Sequence, residues 1–373
     1  MNSDCYDVAV VGGGPAGAVA GMIAARLGLR AIVLEAEPAS KWKPGEVLPP
    51  ECNPILKRLG LWSLLAARPD LAMPSAGVRS CWGSGNISFR DGFSEPLGTG
   101  WIIDRRAFET FLSEQAIAAG ADWVWGARVG AANRQDSLWH IASTGTAAPF
   151  LLARVVIDAT GRRASLARRL GARRLRYLRQ IGTVARWPAT RAQSAWLNIE
   201  SVPDGWWYAV SDPSGAHILA WFGDHTVSGP SRLRIDSAFA ATRFLQSVFA
   251  EPPPSERGEL TILNAESAAL DRFAGPGWLA VGDAAMAFDP IAAQGFANAF
   301  ASANAAAAVA CNYVSGQFEA AESYAAEMSK TYAFYLDGLK QHYLSEQRWP
   351  DRPFWKVRHA NPKRGVISRS SPS

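Results

Sequence analysis

The chain has 373 residues, 48% of them hydrophobic, so it is long enough to bury a large core in two joined domains. Its net charge of +5 is modest, and no motif supports nucleic-acid binding. Its 4 cysteines form no C-x-x-C pair, which argues against a metal centre or a disulfide framework and favours a reducing, cytoplasmic location. The N-terminus lacks a basic signal segment, and polar residues interrupt the alanine-rich stretch 291–311, so neither a signal peptide nor a membrane span is expected.

The first segment predicts a βαβ unit that binds a dinucleotide. An apolar strand at 8–11 leads into a glycine-rich turn and an alanine-rich helix, and a second strand covers 30–35. The turn GGGPAG matches G-x-G-x-x-G through Gly12, Gly14 and Gly17, with Ala16 inside it. Its glycines allow a pyrophosphate to approach the backbone, and the helix N-terminus favours phosphate. Glu35, at the end of the second strand, can accept hydrogen bonds from a ribose.

The middle of the chain alternates between helices and strands before it becomes aromatic-rich. The pattern predicts helices at 52–61 and 104–119, and strands at 75–95 (several short ones), 122–130 and 137–142. It also predicts a buried strand at 154–158 that ends in a turn at Gly161. Longer strands between 181 and 222 predict an antiparallel sheet, and a helix at 237–249 follows.

The stretch 277–300 indicates which dinucleotide is bound. A strand at 277–281 ends at Asp283, whose carboxylate can bond a polyol hydroxyl. FAD has such hydroxyls in its ribitol chain and NAD does not. Pro290 fixes a turn, and a helix that begins near Gly295 directs backbone N–H groups at one spot, which favours the negative charge of a reduced flavin ring. The sequence therefore predicts FAD.

These elements predict an α/β fold in which an antiparallel-sheet substrate domain is inserted into a GxGxxG FAD-binding, Rossmann-like domain. The FAD-binding domain takes 1–70, 96–175 and 260–316, and the antiparallel sheet takes 71–95 and 176–259. A helical C-terminal segment at 317–360 and a disordered tail at 361–373 complete the chain.

Three motifs resemble the fingerprints of single-component FAD-dependent monooxygenases of the p-hydroxybenzoate hydroxylase type and of their relatives, the flavin-dependent halogenases and the geranylgeranyl reductases. They are the glycine-rich turn, the DATGR run from Asp158 through Gly161 to Arg162, and the GD, DP and QG pairs between 282 and 295. The resemblance implies that the glycine turn binds the FAD diphosphate, Glu35 the adenosine ribose and Asp283 the ribitol. It also implies that further residues line the cofactor: Arg105, Val129 (through its backbone, at adenine), Asp158, Gly161, Pro290, Gly295 and Phe296.

Narrower motifs resemble the halogenase-like flavoproteins of the LodB and QhpG types, which mature quinone cofactors by oxygenating a tryptophan in a partner polypeptide. These motifs are KPGEVLPP at 43–50, CWGS at 81–84, GTGWIIDRRAF at 98–108 and RWPDRPFW at 348–355. The resemblance implies hydroxylation of an aromatic ring through a C4a-hydroperoxyflavin, with O₂ as the oxidant and NAD(P)H or a separate flavin reductase as the electron source. A tryptophan-bearing protein or peptide is then the expected partner, and the oligomeric state is left open.

Other activities stay open beside this one. The main alternative is hydroxylation of a small aromatic metabolite, followed by reduction of an isoprenoid double bond. Halogenation is disfavoured because the family's catalytic lysine has no counterpart in residues 75–82. The fold also hosts escort proteins that have lost the flavin, but these would lack the ribitol-binding Asp283.

Few residues offer themselves for catalysis or substrate binding. Glu46 can line the flavin or simply cap a turn, and the general-base candidates His217, His225 and Asp212 are as easily structural. Trp206 and Trp207 are adjacent in a strand, so at most one of them lines a substrate cavity. Trp349, with Phe354 and Trp355, can close that cavity or simply dock the C-terminal segment.

An arginine-rich stretch at 162–179 also has two interpretations. It can be a solvated surface, or it can dock an acidic partner or a dinucleotide phosphate.

Overall fold

A computed structural model describes residues 5–146, 149–188, 194–224, 239–248 and 259–360. His225, the tail 361–373 and residues 237, 238 and 249 at the ends of the helix predicted at 237–249 lie outside these residues, and the described part of that helix contains the α-helix Phe244–Val248. No helix in the described ranges is long and apolar enough to cross a membrane.

The strands, in chain order, are β1 (Cys5–Val11), β2 (Ala31–Glu35), β3 (Val47–Leu48), β4 (Ala72–Pro74), β5 (Gly77–Cys81), β6 (Ser88–Asp91), β7 (Trp101–Ile103), β8 (Asp122–Trp125), β9 (Arg128–Gln135), β10 (Leu138–Thr144), β11 (Phe150–Asp158), β12 (Arg174–Leu178), β13 (Ile181–Pro188), β14 (Trp196–Val202), β15 (Gly205–Ser211), β16 (Ala216–Gly223), β17 (Glu259–Asn264), β18 (Ser267–Leu270), β19 (Ala274–Gly275), β20 (Trp278–Ala280) and β21 (Met286–Ala287). The α-helices are α1 (Pro15–Arg26), α2 (Asn53–Arg58), α3 (Leu61–Ala66), α4 (Arg105–Ala118), α5 (Ser165–Arg169), α6 (Phe244–Val248), α7 (Gly282–Ala285), α8 (Gly295–Val314), α9 (Ala320–Leu344) and α10 (Pro353–His359).

An eight-stranded sheet forms the nucleotide-binding layer. Six of its strands follow the order β19-β20-β11-β1-β2-β8, while β10 pairs with β11 and β9 pairs with β10. β1 pairs in parallel with β2 and β11, and β11 pairs in parallel with β20. The centre of β1 is fully buried, as expected for an apolar strand covered on both faces. Three separate segments of the chain build this layer, namely β1–β2, β8–β11 and β19–β20, and the carboxyl ends of β1, β2, β11 and β20 meet at one edge.

A seven-stranded sheet forms the second layer, in the order β17-β13-β16-β15-β14-β5-β6. All of its pairings are antiparallel except β14 with β5. The predicted α/β architecture with an inserted antiparallel sheet and a helical C-terminal segment is confirmed. β17 reaches Asn264, so the sheet extends past the predicted boundary at 259.

Two predicted elements are divided in the structure. The helix predicted at 52–61 ends at Arg58 as α2, because Gly60 adopts a left-handed conformation with φ of 67°, and only the predicted end, Leu61, falls in the separate helix α3. The strand predicted at 122–130 becomes β8 and β9. By contrast, the helix predicted at 104–119 is continuous as α4, and the Asp104 side chain caps it by accepting a hydrogen bond from the Ala107 N–H at 2.9 Å.

Candidate functional site

The glycine-rich turn closes tightly between the ends of β1 and β11. Gly12 has φ of +106°, and a Cβ atom there would collide with the carbonyl of Ala159. A Cβ atom on Gly17 would collide with the carbonyl of Gly12. A Cβ atom on Gly14, in contrast, would meet nothing within 4 Å, and no side chain caps α1 at this position. The first turn of α1 therefore presents unpaired N–H groups to open space, which suits a phosphate.

Glu35 lies beside this turn, at the end of β2. Its carboxylate accepts hydrogen bonds from the Gly13 N–H at 2.6 Å and from the Glu37 N–H at 2.8 Å. The side chain is half-buried, and each oxygen keeps a lone pair for another donor. Its contact with a ribose stays a prediction that this position allows.

Asp283 lies in the short helix α7, and its side chain is 35% exposed. Arg162 approaches the carboxylate, with 3.3 Å between Arg162 Nε and Asp283 Oδ2. Arg162 also donates to the carbonyls of Glu266 at 2.7 Å and Phe288 at 2.8 Å, so its guanidinium is fixed. The preceding Gly282 packs on Ala16 of α1, and a Cβ atom on Gly282 would lie only 2.8 Å from the Ala16 side chain. Asp283 is therefore held next to the glycine turn.

Asp158 has an internal role that its predicted place at the cofactor did not anticipate. Its side chain is fully buried, and it accepts hydrogen bonds from the Thr160 N–H at 2.9 Å, the Thr160 hydroxyl at 2.7 Å and the Ala167 N–H at 2.7 Å. Asp158 thus fastens the loop after β11 to α5. Gly161 in that loop has open space on its side-chain side, so the backbone there stays accessible.

The start of α8 is a second uncapped helix end. Asp289 precedes Pro290 and accepts a hydrogen bond from the Ile291 N–H at 3.1 Å, which closes the turn before the helix. No side chain caps α8, Gly295 is exposed, and a Cβ atom there would meet nothing within 4 Å. Backbone N–H groups at this end can stabilise a negative charge placed before it.

Arg105 joins this helix end to the loop that carries Glu46. Its guanidinium lies 4.5 Å from the centre of the Phe296 ring in the first turn of α8 and donates to the Gly45 carbonyl at 3.3 Å. It also donates to Glu109 at 2.9 Å, and Lys43 bonds the same carboxylate at 2.8 Å. Phe296 is buried and packs under Arg105. Glu46 and the start of α8 are consequently neighbours of one arginine.

Glu46 is a buried carboxyl group with one free oxygen. Its side chain is 1% exposed, and Oε2 accepts a hydrogen bond from the Tyr208 hydroxyl at 2.9 Å. Oε1 has no hydrogen-bond partner among the described residues. Burial raises the pKa of Glu46 to about 7. At neutral pH this group therefore exchanges readily between its acid and base forms.

Sequence reasoning missed Tyr208, although alternation along β15 carries the relevant signal. Trp206 and Tyr208 share one face of the strand, and both pack with Phe222 of β16 in the core that includes the nucleotide-binding layer. The Trp206 and Phe222 rings stack with centres 4.3 Å apart. This face forms an aromatic surface beside Glu46.

Two predicted candidates lie on the opposite face of the sheet. Trp207 packs against Trp221 and Phe239 in a separate core, so it has no place in a cavity at the nucleotide-binding layer. His217 also points to that side, where its Nδ1 lies 2.8 Å from the Ser211 hydroxyl oxygen and its ring contacts Trp187. The alternation of a strand explains both corrections, and it removes His217 as a base.

The remaining candidates lie at the margins of the site. Asp212 is buried in a turn, where it accepts hydrogen bonds from Ser214 and from the Ala216 N–H. Trp349 packs on Trp355 with ring centres 6.0 Å apart, whereas Trp206 contacts the rings of Phe222 and Trp82. The Val129 carbonyl, where an adenine contact was predicted, accepts a hydrogen bond from Arg169 at 3.1 Å.

Taken together, the site fits FAD. An uncapped α1 with a glycine turn suits the diphosphate, Asp283 beside that turn suits the ribitol, and the uncapped α8 suits the charged pole of a flavin ring.

Comparison with known proteins agrees with this geometry. A family described as FAD binding domain matches residues 5–331. The chain belongs to this family. It is 26% identical over 367 residues to a protein of Marinomonas mediterranea named as the FAD-dependent oxidoreductase LodB, covering 96% of this chain and 98% of that one. The chain is thus an FAD-dependent oxidoreductase of the monooxygenase and halogenase superfamily, as its motifs implied.

Solved structures show the same fold. The myxobacterial chondrochloren halogenase CndH aligns with a TM-score of 0.83 at 20% identity, over 97% of this chain and 87% of that one. The peptidyl tryptophan dihydroxylase QhpG, described as essential for tryptophylquinone cofactor biogenesis, aligns with a TM-score of 0.79 at 24% identity, over 95% of this chain and 79% of that one.

Proposed function

We propose that this protein is a monooxygenase that hydroxylates an aromatic ring, and that its substrate is a tryptophan side chain in a partner polypeptide. The observation that carries the proposal is the buried Glu46–Tyr208 pair on the aromatic face of the antiparallel sheet. Similarity to LodB over nearly the whole chain and the fold shared with QhpG support the choice of substrate.

The cofactor would be held by residues from four separate parts of the chain. The N–H groups of α1 would bind the diphosphate, Glu35 the ribose, Asp283 the ribitol, and the α8 N-terminus the flavin ring. Bound FAD, reduced by NAD(P)H or by a separate flavin reductase, would supply the activation of O₂.

Glu46 would manage the proton that the substrate ring loses. The ring carbon that gains the hydroxyl group loses its proton, and Glu46 Oε1 is the unpartnered oxygen available to accept it, before the proton is passed on to the second oxygen atom of O₂, which leaves as water. With a pKa of about 7, Glu46 is ionised in a large share of molecules at neutral pH, and Tyr208 holds the other oxygen at 2.9 Å. Tyr208 therefore fixes the direction in which Oε1 points.

The surroundings of Glu46 favour a flat aromatic substrate. Tyr208 is the partly exposed ring against which an indole could pack, and the buried Trp206 and Phe222 rings support it from behind. The absence of lysine from residues 75–82 favours oxygen transfer over halogenation.

The direct test is to incubate the FAD-loaded protein with a tryptophan-containing peptide, isotopically heavy O₂ and NADPH, with and without an added flavin reductase. We expect mass spectrometry to show heavy oxygen in the tryptophan. Incorporation only into free indoles or phenols would assign the enzyme to small metabolites. Bromination in the presence of bromide, or anaerobic reoxidation of the flavin by an isoprenoid, would overturn the proposal.

The placement of the cofactor has its own test in Asp283→Ala. We expect this variant to lose FAD during desalting and to need roughly tenfold more FAD for half-saturation, since a charged hydrogen bond contributes about 1.5–3 kcal/mol. The matched control is Asp271→Ala, which removes an aspartate paired with Arg173 at 2.8 Å on the surface. Equal FAD retention by the two variants would contradict the role of Asp283.

A further inference from the structure

A groove of about 410 Å³ lies where β12, β13 and β17 meet. Arg176 and Arg179 line one part of it, and Ile181, Ile262 and Leu263 provide an apolar part. The Ile262 side chain is 57% exposed, which is unusual for an isoleucine and marks an apolar surface available for contact.

The groove is basic because the chain leading to it is basic. Residues 162–179 contain 8 arginines and no aspartate or glutamate. Arg162, Arg173 and Arg176 pair with carboxylates from other segments, namely Asp283, Asp271 and Glu266. Arg163, Arg168 and Arg179 are exposed and form no ion pair within the described part of the chain. The charged residues that line the groove are Arg176, Arg179 and Glu266, and Arg176 pairs with Glu266, so the positive charge of Arg179 is left over for a partner.

The groove also leads towards the candidate site. Gln180 lines it, and the Gln180 amide donates to Asp289 at 3.2 Å. Asp289 closes the turn that precedes the uncapped end of α8. Leu263 packs against Gly182, which lies on the same face of the sheet as Tyr208. A chain lying in the groove would therefore run beside the layer in which Glu46 is buried.

We infer that this groove binds an acidic, extended segment of the partner polypeptide, next to the tryptophan that enters the site. This inference rests on the proposed function and adds the chemistry of the partner. Within the described residues β17 pairs only with β13, so its outer edge can hydrogen-bond an added strand. Apolar contacts at Ile181 and Ile262 and an acidic side chain at Arg179 would complete the match.

The experiment measures binding without catalysis. The probe is a fluorescein-labelled peptide with one tryptophan flanked on both sides by glutamates, and its partner has glutamines in their place. Fluorescence anisotropy with the FAD-loaded, oxidised protein at low ionic strength should show the glutamate peptide binding about tenfold more tightly, and added salt should remove most of the difference.

Charge reversal at the groove should abolish this preference. Arg179→Glu should weaken binding of the glutamate peptide by about fivefold or more while leaving the glutamine peptide unaffected. The matched control is Arg58→Glu, an exposed arginine at the end of α2. Unchanged FAD absorbance and circular dichroism would show that each variant is folded.

Two results would overturn the inference. One is equal binding of the two peptides, or equal loss in the Arg58 variant. The other is that a single-stranded oligonucleotide of the same charge binds as tightly as the glutamate peptide and that Ile262→Ser does not weaken its binding. That result would make the surface a general polyanion site. Because no reductant is present, this experiment measures peptide binding without hydroxylation. Failure of the groove to bind the peptide can therefore be distinguished from failure of the protein to hydroxylate tryptophan.

Discussion

At the scale of single residues, the state of Glu46 has a measurable effect on stability. Its pKa is raised from 4.5 to about 7 by burial, so the folded protein holds this proton more tightly than the unfolded chain does. Folding is therefore favoured below the ordinary pKa of a glutamate, and this advantage is lost as the pH rises towards 7. Glu46→Gln removes the ionisation and keeps the shape.

We expect the free energy of unfolding of Glu46→Gln, relative to that of wild type, to rise by up to about 3 kcal/mol as the pH increases from about 5 to about 8. Urea unfolding at the two pH values measures the change. Tyr208→Phe is the control, because it removes a hydrogen bond at the same carboxyl group but keeps a titrating Glu46. A difference between Glu46→Gln and wild type that does not vary with pH would mean that Glu46 titrates as an ordinary glutamate.

At the scale of elements, a buried ion pair attaches the C-terminal segment to the antiparallel sheet. Glu346 is fully buried after α9 and accepts hydrogen bonds from the Gly83 N–H at 2.8 Å and the Ser201 hydroxyl at 2.6 Å. Arg348 bonds the same carboxylate at 2.7 Å. Burial alone would raise the pKa of Glu346, but these donors hold it below its ordinary value.

Breaking this pair should destabilise the fold more than its net contribution suggests. Arg348→Met leaves a buried carboxylate unpaired, so we expect it to cost about 3–5 kcal/mol, while the double variant Glu346→Gln/Arg348→Met should cost less than the sum of the single changes. Arg352→Met is the matched control, because the Arg352–Asp204 pair is half exposed and should contribute less than about 1 kcal/mol. Guanidinium unfolding gives all four values, and additivity would contradict the coupling.

The elements also show what could be predicted from sequence. Gly12–Gly17 and the start of α8 were found because each depends on a short run of residues whose helix or strand pattern is local. Tyr208 and Glu46 are 162 positions apart, and only the pairing of β15 against the loop before β3 joins them. Trp207 and His217 stay open as candidates in the sequence because sequence alone does not say which face of a strand meets the other layer. The ion pair between Arg162 and Asp283 also escapes prediction from sequence, because it joins two turns that are far apart along the chain.

At the scale of the whole molecule, the cofactor would join segments that the chain keeps far apart. The turn at Gly12–Gly17, Arg105 at the start of α4, Asp283 and the first turn of α8 come from different regions of the sequence. A ligand that contacts all of them in the folded state loses all of them when the protein unfolds. FAD should therefore stabilise the whole folded protein against global unfolding, beyond any local effect on the glycine turn.

This leads to a quantitative expectation for thermal unfolding. FAD at a hundred times its dissociation constant should add about 2.7 kcal/mol, and the stabilisation should grow with the logarithm of the FAD concentration. Asp283→Ala should show the same slope, displaced to higher FAD concentration, with an apoprotein midpoint close to that of wild type because the Asp283 side chain is 35% exposed. Differential scanning calorimetry across an FAD series measures both. If FAD does not stabilise the wild type, the proposed FAD site is wrong. If Asp283→Ala lowers the midpoint of the apoprotein but does not shift the FAD dependence, Asp283 supports the fold and does not hold the cofactor.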